Sequence, residues 1–426
     1  MFSFRLKNID LLLILIALFI FLLPFYIGPT IRYIFSGLIT SLSIFYLKKE
    51  GFLLKNLFAF PINLLILLLF FFIVLSIPFS PELSSSLKHV ICEYCFNFLL
   101  FFAVSSYFFF YKISAKDVNL VFLYINIFFI VIYLFVLIQW MLFPNAPFLF
   151  DQSEFYLKDF SRSDLFFLFG NVCDLFTTIK HISLFIVLMI GVAFSNLILE
   201  NHKKICMVLL FFDFFILFNI TRRGAMLATF LGILFCTIMS KRYTRHLVVF
   251  SLLLICFLSL FFITGNKRYI VRENWSLILQ GNIQKAKELG GSIPLRISTY
   301  KIFLDEILDA PFRPHGPSMK LFKKYYPDLI KKAGLTHGHN VFIDFAIQFG
   351  VQGALLLLII IIYQFVMFYK GFSRTKDLEM KILFLSSMAF LIMFWTTNMF
   401  TDGFIHGSST LYWLFTGISC GYAMNT

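Results

Sequence analysis

The chain has 426 residues, of which 60% are hydrophobic and only 14% charged, with a mean hydropathy of +0.88. Soluble domains sit nearer half apolar and a quarter charged, so an ordinary soluble fold is excluded. The formal net charge of +14 would suggest nucleic acid as a partner of a soluble protein. Membrane proteins collect Lys and Arg in their cytoplasmic loops anyway, and no nucleic-acid partner is read from it here.

Apolar runs fall at about 9–27, 30–47, 57–77, 88–111, 118–143 and 178–199, and then at about 205–220, 224–240, 246–265, 341–369, 381–400 and 408–424. A span needs about 20 apolar residues, so these predict about twelve transmembrane helices in an all-α polytopic membrane protein. Only helices that close their own backbone hydrogen bonds cross lipid in such a pattern. The first run is longer than a signal-peptide core and lacks a small-residue cleavage site, so it is read as an uncleaved first span. The seven cysteines lie mostly inside apolar runs, where Cys behaves as a small hydrophobe. Cys92 and Cys95 form a CxxC in a hydrophobic run with no second pair, and a structural role is expected for them.

With a cytoplasmic N-terminus, the inner segments hold sixteen Lys and Arg, including Lys48, Lys49, Lys241, Arg242 and Arg374. The short outer segments hold six, among them Arg32, Lys158, Arg222 and Arg223. This bias predicts that both termini are cytoplasmic. The domains expected are transmembrane helices over 1–265, a large periplasmic loop over 266–340 and three further spans over 341–426.

From Lys267 to Asn340 the large loop carries thirteen Lys and Arg against six Asp and Glu. It is either a solvated surface or an electropositive face for phosphorylated partners. From Arg296, apolar Ile297, Tyr300, Phe303, Leu304, Ile307 and Leu308 recur at helical spacing until Pro311 ends the pattern. This predicts an amphipathic helix opened by Arg296, lying on the membrane surface or on the bundle. A second basic amphipathic stretch covers 320–332, interrupted at Pro327. Its Lys323, Lys324, Lys331 and Lys332 would meet lipid phosphates or form a solvated face.

Three features carry chemistry on the outer side. Thr221-Arg222-Arg223-Gly224-Ala225 stands where a helix starts, and unpaired N–H groups plus guanidinium forks suit a diphosphate. The alternative is a pair of interface arginines that snorkel. Arg296 is the second feature. The third is Thr336-His337-Gly338-His339-Asn340, directly before the tenth span. The positive end of that helix would disfavour imidazolium and keep His339 able to accept a proton. The His-Gly-His could also be a fragment of a metal site, but no third ligand is obvious.

Arg222-Arg223-Gly224-Ala225, Leu295-Arg296-Ile297 through Ala310-Pro311, and His337-Gly338-His339-Asn340 followed by Gly350 and Gly353 together resemble the O-antigen ligase family. That family attaches polymerised O-antigen to lipid A–core in the Gram-negative inner membrane. The resemblance implies a C-type membrane glycosyltransferase fold, inverting and metal-independent, with no cofactor. The implied donor is an undecaprenyl-diphosphate-linked O-polysaccharide, the acceptor a sugar hydroxyl of lipid A–core, and the surroundings membrane lipids with a periplasmic active site. By position, Arg223 and Arg296 would bind the donor diphosphate, and His339 would orient or deprotonate the acceptor hydroxyl. Arg222 stands where Ser or Thr usually precedes the family Arg, which leaves open which of the two arginines meets phosphate. Asn340, Asp344, His315 and His337 are candidate supporting residues. His315 is a second candidate for proton transfer, and Asp344 is more readily read as a lone polar residue in a helix.

An O-antigen polymerase of the same superfamily is the nearest alternative. A lipid or polysaccharide transporter is a further one, which would need ionisable groups in mid-membrane. Glu93, Lys180 and Asp213 are the candidates for those.

Overall fold

The computed structural model describes residues 10–25, 29–49, 51, 60–111, 113–142, 179–219, 223–240, 280, 285, 292–318, 324–333, 338–399 and 407–426. Its regular elements are all helical. In chain order they are α1 (Leu11–Leu22), α2 (Pro29–Lys49), α3 (Pro61–Leu75), α4 (Leu83–His89), α5 (Phe96–Phe110), α6 (Ala115–Leu142) and α7 (Ile179–Ile198). Then follow α8 (Lys203–Asn219), α9 (Arg223–Met239), α10 (Ser292–Asp309), α11 (Pro327–Ala333), α12 (Val341–Arg374), α13 (Leu378–Asn398) and α14 (Gly407–Ala423).

Six of the described helical segments are long and apolar enough to cross a membrane: Thr30–Lys49, Pro61–Phe79, Leu83–Phe110, Ala115–Phe135, Val341–Arg374 and Leu378–Asn398. Shorter apolar helices cover Leu11–Leu22, Ile182–Ile198 and Gly224–Met239. The chain is therefore a multi-pass membrane protein. The run expected at 246–265 lies outside the described residues.

The surfaces of these helices are inverted relative to a soluble bundle. On α3, Leu64, Leu68, Phe71 and Leu75 are exposed at one-turn intervals, while Asn63 on the other side is fully buried. Apolar residues facing outward fit lipid, and buried polar residues fit a bundle interior. Inside, α13 is buried along most of its length, from Ile382 to Leu391, and packs against α7, α9 and α12. Helix α5 packs on α14, where Phe98 and Phe101 meet Trp413 edge-on. Some polar side chains in the interior join one helix to another. Asn119 of α6 donates at 2.9 Å to both the backbone and a side-chain oxygen of Glu379, and Asn201 donates to the other oxygen at 3.2 Å. Asp213 of α8 is fully buried and accepts from Asn126 of α6 at 2.8 Å.

The expected span at 88–111 begins earlier and is not uniform. It runs from α4 through a π-helical turn at Val90–Cys95 into α5. Both cysteines of the CxxC lie in that turn as free, half-buried thiols.

The largest departure from the expected pattern is in α12. Its 34 residues would reach about 50 Å as one rod at 1.5 Å per residue. The rod is interrupted at Gly350, whose φ of 77° and ψ of 169° are not helical. Breaking the ladder frees backbone groups, and in or near lipid each unpaired one costs several kcal/mol. Residues 311–316 take them up. The Ile347 carbonyl accepts from the His315 amide at 3.0 Å, and the Gln348 carbonyl accepts from the Gly316 amide at 3.2 Å. On the far side of the break, the Val351 amide donates to the Pro311 carbonyl at 2.8 Å. The amphipathic helix of the loop is thus stapled to the span. Its inner face, Phe303 and Ile307, is buried against Ile347.

Three details of the loop differ from the sequence expectation. Helix α10 begins at Ser292, so Arg296 stands one turn inside it rather than opening it. Pro327 starts α11 instead of interrupting a helix, because the first helical position needs no amide hydrogen bond. Lys324 does not stand as a free cation for phosphate either. It pairs with Glu82 at 2.6 Å, and Tyr325 donates to the same oxygen at 3.0 Å. Hydrogen bonds from Lys324, Ser85 and Tyr325 hold the partly exposed Glu82 carboxyl down at about 2.

Gly350→Ala places a Cβ in a backbone region essentially reserved for glycine, at a cost of about 1–3 kcal/mol. The expected outcome is a lower unfolding temperature in detergent, with Gly37→Ala unchanged or slightly higher because nothing lies within 4 Å of its added Cβ. Equal unfolding temperatures for both variants would argue that α12 is continuous.

Candidate active site

The turn before α12 is built by three backbone constraints. Asn340 is extended (φ −147°, ψ 118°) and caps α12, its Oδ1 accepting from the Phe342 amide at 3.0 Å and the Ile343 amide at 3.4 Å. Asn at this position satisfies helix N–H groups that have no partner within the helix. One residue earlier, His339 has a φ of 48°. A left-handed non-glycine residue is strained by on the order of 1–3 kcal/mol, and such residues concentrate at functional sites.

The third constraint comes from Asp344, one turn into α12. Its side chain is buried, and Oδ1 accepts from the Gly338 amide at 2.6 Å. Asp344 is therefore not a lone polar residue; it closes the turn that carries His339. Glycine is needed at 338 for this approach, because a Cβ there would lie 2.9 Å from Ile343 Cγ2 and 3.0 Å from Asp344 Oδ1.

Helix α10 meets this turn. Tyr300 donates its hydroxyl to the His339 carbonyl at 3.3 Å. Arg296 lies four residues before Tyr300 and so shares its helical face. Burial pushes the Tyr300 phenol up, the nearby Arg296 guanidinium pulls against this, and the Asp344 carboxylate adds to it. Arg296, Tyr300, Asp344 and the His339 turn thus form one electrostatic neighbourhood. Tyr300 is the residue that sequence reasoning treats only as part of the apolar pattern. Its spacing of four from Arg296 is the available signal.

His315 is placed elsewhere. It lies beside the helix break, 8% exposed, with Nδ1 3.2 Å from the Ile347 carbonyl and Nε2 3.1 Å from Glu306 Oε1. A carbonyl only accepts, so Nδ1 is the donor in the contact with Ile347. Nδ1 ties residues 311–316 to α12, and Nε2 ties them to Glu306 of α10. Arg223 is the first residue of α9, so its backbone stands at a helix N-terminus as expected. Its side chain, together with Arg222 and His337, lies outside the described residues.

Residues 205–358 match the family model described as O-Antigen ligase. That span is similar to the O-antigen ligase family. It covers just over a third of the chain and contains Arg222, Arg223, Arg296, His315, His337, His339, Asn340 and Asp344. The match supports a likeness of this segment to the superfamily of O-antigen ligases and polymerases. No curated protein matches the chain.

The Asp344 carboxylate can be separated from its hydrogen bond by substitution. Asp344→Asn keeps an acceptor for the Gly338 amide. Asp344→Leu leaves that buried amide unpaired, at about 1–3 kcal/mol. Thermal unfolding in detergent is expected to rank wild type and Asn together and Leu clearly below them. A Leu variant as stable as the Asn variant would show that the Gly338 bond does not hold the turn.

Proposed function

We propose that this chain is an O-antigen ligase, an inverting and metal-independent glycosyltransferase that needs no cofactor. It moves polysaccharide from undecaprenyl diphosphate to a sugar hydroxyl of lipid A–core. The observation that carries the assignment is the junction of α10 with the His339 turn, inside the segment that matches the family. An arginine helix and a histidine turn far apart in sequence are tied by Tyr300 within the matched span. In this reading the protein sits in the Gram-negative inner membrane with both termini cytoplasmic and residues 266–340 periplasmic. About twelve spans are proposed in total.

The chemistry asks for two things. Diphosphate is already a good leaving group, and its departure is helped most by fixed positive charge where negative charge develops. Arg296, with Arg223 or Arg222 at the N-terminus of α9, would supply this. The acceptor hydroxyl needs orientation and a base, and attack from the face opposite the departing diphosphate inverts the anomeric carbon. His339 would receive the hydroxyl proton as the new glycosidic bond forms and the bond to diphosphate breaks. Asn340, Asp344 and Tyr300 would hold the turn on which His339 stands, with His337 a further candidate in the same turn. His315 is assigned to the helix break and not to proton transfer.

Arg296→Ala and His339→Ala are each expected to reduce transfer by at least about 100-fold, the scale of losing one fixed charge or one base. Membrane insertion should be unaffected. The readout is a lipopolysaccharide gel from cells lacking the wild-type copy, beside a blot of the membrane fraction. Full O-chain ladders from either variant would end the assignment. A deletion strain separates the two superfamily activities. Loss of a ligase leaves unsubstituted core, with long O-chains stranded on the lipid carrier. Loss of a polymerase instead leaves core bearing a single repeat unit.

A further inference from the structure

Along α12, residues 341–350 include no exposed side chain, whereas beyond the break exposed apolar residues recur at Leu355, Ile359, Ile362 and Val366. The second pattern is that of a span with one side in lipid, and the first is that of a helix sheathed in protein. Part of the sheath is α10. Tyr300 bonds the His339 carbonyl, Phe303 and Ile307 are buried against Ile347, and the Phe312 carbonyl accepts from Gln352 Nε2 at 3.1 Å. These contacts, in order along both segments, fix which side of α10 looks at α12.

The outward side is not polar. Leu304, Leu308 and Phe312 are 45%, 73% and 72% exposed, at intervals of four residues through the helix and just past its end. Exposed Lys301, Asp305 and Asp309 flank them. The carbonyl contact sets Phe312 beside Gln352, one turn before Leu355, where the outward apolar row of α12 begins. From Val351 to Arg374 the span reaches roughly 36 Å at 1.5 Å per residue, enough for a hydrocarbon core about 30 Å thick. The break, and with it Phe312, then stands at the membrane boundary opposite Lys370 and Arg374. An apolar row flanked by charges at that level is the arrangement of an interfacial helix.

We propose that Leu304, Leu308 and Phe312 form a membrane-contact surface whose occupant is the acyl-chain region of the bilayer. Helix α10 faces the lipid in place of residues 341–350, which it covers. The proposal rests on burial and register and is independent of the reaction assigned above.

Site-specific photocrosslinking in the full chain tests it. Benzoylphenylalanine is introduced in place of Leu308 or Phe312, with Ile362 on the outward face of α12 as the reference position. After irradiation in native membranes, the purified protein is analysed by intact mass and denaturing gel. Phospholipid adducts at 308 and 312, within a few fold of the yield at 362, are expected. A crosslinked band at twice the chain mass would overturn the proposal in favour of a second copy. Lipid adducts at 362 but none at 308 or 312 would overturn it in favour of a surface open to water.

Discussion

The interruption of α12 at Gly350 is the constraint on which the rest of this region depends. A helix broken at or near a bilayer leaves carbonyls and amides that water cannot reach, and the only cheap remedy is another piece of protein. Residues 311–316 provide it, with the His315 and Gly316 amides on one side of the break and the Pro311 carbonyl on the other. The same segment continues directly from α10. A backbone requirement inside the membrane protein thereby dictates where a soluble-looking helix from the loop must lie.

That placement propagates to the proposed site. With its C-terminal end stapled beside Val351, and Phe303 and Ile307 packed on Ile347, α10 can only run back toward the start of α12. Tyr300 then reaches His339, and Arg296 arrives one turn further along. The turn it meets is equally determined, by the Asn340 cap and by the buried Asp344 holding Gly338. A strained φ at His339 is sustained because both flanking residues are bonded into α12. The backbone of the histidine is held from both sides.

Much of this is legible in the sequence, and the part that is not has identifiable causes. Apolar runs expose the helical spans because lipid demands long hydrophobic stretches, and the helical period of the apolar residues after Arg296 marks α10. The segments around Arg223, Arg296 and His339 carry the family resemblance, and residues 205–358 bear it out. The break at Gly350 is hidden because a glycine within an apolar run is common in spans, and nothing local records that Pro311 will replace its hydrogen bonds. Asp344 reads as an isolated acid because its partner is a backbone amide, which has no sequence signature. Pro327 reads as an interruption because proline both ends and starts helices, and only the backbone on either side distinguishes the two. Lys324 looks available to phosphate because its partner Glu82 is distant in sequence.

The double use of α10 has a further physical consequence. One side of this helix fixes Arg296 relative to His339, and the other carries the row assigned to lipid. A slip of one turn along α12 would move Arg296 by about 5.4 Å, well beyond the tolerance of a positioned charge, since misplacement by about 1 Å can already cost a factor of 100 in rate. Such a slip is opposed at one end by the hydrogen bonds at the break and at the other by Tyr300. It is also opposed between them, because moving the helix would drag an apolar row out of register with the boundary where it fits. A membrane surface used in this way acts as a ruler for the site, setting the height of Arg296 above the hydrocarbon. That height matters for the proposed donor, because its own lipid chain would hold the diphosphate at the bilayer boundary.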